Sequence, residues 1–148
     1  MLSGLYQLPW DVQVSGIVTA ASGRPFTPLA GADLNGDGNG GAFPPDRARR
    51  DPAAESTSVG RNSETTAAQV NVDVRVSRRF KLRTHGTLDA MVEAFNLFNR
   101  ANFIEDTNQS SFVVFGTGAF PTDPLPPYGR YTATLPPRQV QLAVKLGF

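Results

Sequence analysis

The sequence predicts an all-β fold, a transmembrane antiparallel β-barrel fragment of about four strands with two long loops on one end. Three observations carry that prediction. Apolar residues recur with period two in four separate segments, as on strands with one dry face. Each segment is long enough, at about 11–13 residues, to supply the roughly 9–11 that a tilted strand needs to cross a bilayer. The connections run long, short, long, which puts both long ones at the same end, as in outer-membrane barrels with short periplasmic turns and extended extracellular loops.

The first strand is expected at about 10–20, where Trp10, Val12, Val14 and Val18 alternate with Asp11, Gln13 and Ser15, although Gly16 and Ile17 weaken the pattern. The second, at about 68–79, sets Val70, Val72, Val74 and Val76 against Asn71, Asp73 and Arg75; a helix would scatter both sets around its circumference. A polar turn, Arg78–Gly86, follows, with Arg78, Arg79, Lys81 and Arg83 making it basic. The third strand, at about 86–98, has Leu88, Ala90 and Val92 against Asp89, Met91 and Glu93 before the aromatic run Phe95-Asn96-Leu97-Phe98. A helix competes here because the stretch has few breakers. The fourth, at about 138–148, is the most regular: Val140, Leu142, Val144, Leu146 and Phe148 interleave with Gln139, Gln141, Ala143, Lys145 and Gly147.

Composition narrows the chemistry. The 148 residues include 14 Gly and 12 Pro, concentrated in the long connections, which suits strands separated by irregular loops. With no Cys, the chain has neither disulfides nor thiolate metal sites. Fourteen basic against 13 acidic residues leave no excess for a nucleic-acid partner. His85 is the single histidine and falls in the polar turn, so no catalytic residue is assigned and the chain is not read as an enzyme. No run of about 18 apolar residues offers a membrane helix, and the first residues lack the build of a signal peptide.

Alternation alone does not say what the dry faces meet. Strand length, the one-ended loops and aromatic residues near strand ends (Trp10, Phe80, Phe95, Phe98, Phe103 and Phe148) favour lipid. The alternative is a soluble or surface-displayed all-β binding module, in which the Val70–Val76 and Leu142–Phe148 faces meet each other in a core. One loop motif suits either: Asp33, Asn35, Asp37 and Asn39, with Gly38 among them, resemble the first half of a calcium-binding loop. Its second half departs, with Gly40 and Pro44 at the eighth and twelfth positions, so that Asp46 would have to contribute. The competing reading is an Asx-turn loop held by its own side chains.

Several stretches resemble one family in order along the chain. They are Ser22-Gly23-Arg24-Pro25-Phe26-Thr27, Asp33 to Asn39, Asp46-Arg47, Gly60-Arg61-Asn62-Ser63, Val72 to Phe80, Glu93-Ala94-Phe95-Asn96-Leu97-Phe98-Asn99-Arg100-Ala101-Asn102-Phe103, and Pro136 to Phe148. Together they resemble the C-terminal end of a TonB-dependent outer-membrane receptor of the Oar-like type. That resemblance implies energised uptake or surface binding of a bulky nutrient, with an adhesion or secretion role also open. It implies a bacterial outer-membrane location and a larger barrel with a plug that residues 1–148 do not contain. Implied partners are outer-membrane lipid, the rest of the barrel and its plug, the barrel-assembly machinery, and an energising periplasmic partner reached only through the plug. Val140, Leu142, Val144, Leu146 and Phe148 would then be the signal that the assembly machinery reads, and Phe148 would be periplasmic.

Overall fold

The structure, a computed structural model, describes residues 1–39, 46–82, 86–104 and 110–148. Gly40, Pro44, Arg83 and His85 from the readings above lie outside the described residues. The chain divides into a sheet unit (1–22, 68–102 and 134–148) and a loop unit (23–67 and 103–133).

The sheet unit is a five-stranded antiparallel meander: β1 (Leu2–Leu8), β2 (Val12–Ala21), β3 (Gln69–Leu82), β4 (Gly86–Phe95) and β5 (Gln139–Gly147), in that spatial order. The first of these is additional to the four strands expected. In β1, Leu2, Tyr6 and Leu8 sit on one side, but Gly4 interrupts that side and Leu5 intrudes on the other, so the period is blurred. Pairing with β2 from Leu2↔Val18 to Leu8↔Val12 supplies the order that local alternation lacks. Trp10, expected inside a strand, is in the turn instead. A connection of three residues between the paired Leu8 and Val12 has to reverse sharply, and Trp10 and Asp11 do so with φ of 64° and 55°.

The other boundaries shift for identifiable reasons. β3 continues past residue 79 to Leu82 because Phe80 and Leu82 keep the period and pair with Leu88 and Gly86. The basic turn therefore dissolves into a strand, and Arg78 and Arg79 point to opposite faces. β4 is a strand and not a helix, since it pairs with β3 on one side and β5 on the other. It stops at Phe95, short of residue 98, where Asn96 takes φ of 50°.

Register assembles two unlike faces. Tyr6, Val14, Val76, Val92 and Leu142 form one row across all five strands of the apolar face, and Leu8, Val12, Arg78, Ala90 and Val144 form another. On the reverse, Leu5, Ser15, Arg75, Glu93 and Gln141 form a polar row. The apolar face is not covered: Tyr6 is 69% and Leu142 is 78% exposed. The Val70–Val76 and Leu142–Phe148 segments thus belong to one sheet, on either side of β4, and they do not face each other as a soluble core requires.

The loop unit carries its own small core. Ala48, Val59 and Phe115 are buried, with Phe120 and Tyr128 packed against them at ring separations of 5.0 Å from Phe115. Bridges from Leu29 to Arg47 and Val114, and from Arg49 to Ser58 and Ala119, stitch the two long connections together.

Candidate functional site

The polar face holds most of the sheet's charge. Arg75 and Glu93 are directly cross-strand and form an ion pair at 2.5 Å. Arg79 donates to both carboxylate oxygens of Asp89, at 2.7 and 3.0 Å, and Asp89 is in register with Lys145 on β5. Alternation makes this arrangement: residues of one parity on neighbouring strands land on one face, and opposite charges directly across a ladder attract. Two grooves lie along the face. One of about 340 Å³ is lined by Gln13, Ser77, Arg79, Asp89, Met91 and Lys145; the other, of about 560 Å³, runs beside Leu5, Ile17, Asp73, Arg75, Glu93 and Phe95. Phe95, expected in an aromatic belt, therefore lies on the polar face.

The stretch after β4 is a clamp made by three asparagines spaced three apart. Asn96 adopts the left-handed conformation that asparagine tolerates better than most residues. Its backbone N–H donates to Asp73 Oδ1 at 2.9 Å, and its side-chain amide donates to the carbonyls of Arg100 (2.9 Å) and Pro136 (3.1 Å). Asn99, also left-handed, accepts the Arg138 N–H at 3.0 Å. Asn102 is fully buried; its amide donates to the Val70 carbonyl at 2.9 Å and its oxygen accepts the Val70 N–H at 2.8 Å, imitating a ladder partner. The clamp thus ties the end of β4 to the start of β3 and to the approach into β5. Sequence reasoning placed the start of the stretch in a strand and its aromatics in a belt, and otherwise singled it out only as a resemblance; the three-residue recurrence of Asn after an aromatic run was the signal available.

Of the five residues expected to form the assembly signal, four lie within a strand. Val140, Leu142, Val144 and Leu146 run down the apolar face of β5 with half or more of each exposed, and Phe148 lies just beyond the strand, fully exposed. Among the described residues β5 pairs only with β4, which leaves its other edge open.

In the 33–39 loop, the side chains bond to the loop's own backbone. Asp33 accepts the N–H groups of Gly36, Asp37 and Gly38 at 2.7–3.2 Å; Asn35 accepts that of Asp37 at 2.9 Å; Asp37 accepts that of Asn39 at 2.9 Å. Asp46 accepts the N–H groups of Leu34 and Asn35, closing the loop from outside. The backbone N–H of Asn39 and the amide of Asn35 hold the Asp37 carboxyl below its usual pKa. These are the bonds of an Asx-turn loop, with Gly36 and Gly38 supplying its positive φ values of 77° and 85°. Among the described residues, no three acidic or histidine side chains converge as a metal cluster.

A family model described as an outer membrane beta barrel domain matches residues 9–141. No curated protein and no solved structure matches the chain.

Proposed function

We propose that this chain, which belongs to the outer membrane beta barrel domain family, is wall and closing seam of a TonB-dependent receptor of the Oar-like type that takes up a bulky nutrient. Family membership puts the chain in the bacterial outer membrane; in this proposal the apolar face of the sheet meets lipid and its charged face the lumen. Five strands are too few to close a barrel, since the smallest membrane barrels have eight. In this proposal the remaining strands and a plug come from the same receptor, and the open edge of β5 pairs with the barrel's first strand once the assembly machinery has read Val140 to Phe148.

The observation that supports the receptor reading is the one-sidedness of the wall. Salt-bridged Arg75–Glu93 and Arg79–Asp89, with Lys145 beside them, suit a wide wet or plugged lumen and not one filled by packed side chains. The long connections, residues 23–67 and 103–133, would meet the nutrient. Energy would reach the receptor through the plug, so this segment does not itself contact the energising partner. The test is uptake by cells with the gene intact, deleted, or intact but with the energising complex inactivated. Receptor function predicts loss of uptake of a bulky nutrient in both altered strains. Uptake that needs the gene but not the energising complex marks a passive pore and rejects the proposal.

A further inference from the structure

We propose that Arg78 is a binding site for the phosphate of a phospholipid headgroup at the periplasmic side of the bilayer. This rests on the membrane placement of the family and not on the uptake reading. Register puts Arg78 on the apolar face, in the row Leu8, Val12, Arg78, Ala90 and Val144. It is the one charged side chain on that face among the described residues. Its neighbour Arg79 turns to the other face and is neutralised by Asp89, whereas among the described residues Arg78 has no ion pair.

Position selects the partner. A charge on a lipid-facing wall is costly unless it reaches the interface or an opposite charge. The Arg78 guanidinium lies 4.7 Å from the centre of the Phe80 ring, two residues nearer the short turn, so the side chain leans toward that end of the strand. The adjacent hairpin turn carries Trp10, 80% exposed and two residues from Val12, the cross-strand neighbour of Arg78. An exposed tryptophan in a turn is the ordinary mark of headgroup depth. Short turns face the periplasm in such barrels, and the leaflet there is phospholipid. A planar guanidinium with no carboxylate partner, held over a ring at that depth, matches a phosphate diester's paired oxygens.

The experiment uses the purified outer-membrane protein that carries this chain, in nanodiscs, titrated with phosphatidylglycerol and followed by native mass spectrometry. The dissociation constant of the tightest phosphatidylglycerol should rise about fivefold in Arg78→Gln, the contribution of one basic residue near an anionic lipid surface. It should stay at the wild-type value in Arg79→Gln and largely recover in Arg78→Lys. Inorganic phosphate at equal concentration should not compete, which separates a headgroup site from a free-anion site. Heat-modifiable mobility on gels checks assembly of each variant. If Arg78→Gln does not assemble, the Phe80→Leu variant, which keeps the charge but removes the ring beneath it, carries the test and should weaken binding at least twofold. Unchanged binding in the assembled variant, equal weakening in Arg79→Gln, or competition by free phosphate overturns the proposal.

Discussion

An arginine placed at Val92 measures whether the apolar face meets lipid. Val92 pairs with Val76, at the middle of β3, in the row Tyr6, Val14, Val76, Val92 and Leu142, and it is 46% exposed. A basic side chain on the lipid face costs about 2–4 kcal/mol at the bilayer midplane and about 0–1 kcal/mol near the interfaces. Val92→Arg should therefore lower the folding equilibrium roughly 30- to 700-fold. Leu88→Arg, on the same strand and face but four residues nearer the short turn, should cost clearly less. Met91→Arg is the internal control. Its side chain lies on the polar face between Ser77 and Ala143 and should cost under about 1 kcal/mol. The assay is urea unfolding of the barrel in lipid vesicles, with the folded fraction read from gel mobility. Equal costs at Val92 and Met91, or no gradient from Val92 to Leu88, would refute the assignment of the two faces.

Four further outcomes follow from named contacts. Asn102→Ala leaves the half-buried N–H and carbonyl of Val70 without their partner, at about 1–3 kcal/mol in all, and should speed hydrogen exchange at the Val70 amide. Glu93→Gln breaks the pair with half-exposed Arg75 and should change stability by less than about 1 kcal/mol in the same urea assay. Burial, with a smaller effect from Glu64, pushes the Tyr128 phenol up to about 12. Because unfolded tyrosine ionises near 10, the loop unit should lose stability as pH rises from about 10 toward 12, and an absorbance titration should show a phenolate step near 12 that is lost in Tyr128→Phe. Asp37 has the opposite sign: its lowered pKa contributes stability that is present above the unfolded carboxylate value and lost as pH falls through the folded one. A carbon NMR titration should find its midpoint below the usual aspartate value.

The wall was legible in the sequence because its physics is local. Val70 to Val76 and Val140 to Leu146 each present one face to one environment, and the period shows at a glance. The 33–39 loop was legible for the same reason, since its bonds span two to five residues. What escaped depends on distant partners. β1 owes its order to β2, so Gly4 and Leu5 could blur its pattern without preventing its pairing. The asparagine clamp joins residues 32 to 40 positions apart, which no window along the chain registers. The core of Ala48, Val59 and Phe115 is assembled from both long connections, whose Gly- and Pro-rich composition reads as irregular loop. The extension of β3 past Arg79 to Leu82 rests on pairing with β4, so its charges read as a turn when β4 is ignored.

The most direct test of the barrel-wall account is a spin-label scan of β5 in the membrane-assembled protein. The chain has no cysteine of its own, so single substitutions to Cys from Gln139 to Gly147 place a label at one site in this chain each time. The account predicts period-two behaviour. Labels at 140, 142, 144 and 146 should be accessible to oxygen dissolved in lipid, and those at 141, 143 and 145 to a water-soluble nickel reagent. Nickel accessibility at both sets of positions, with no alternation, would contradict it.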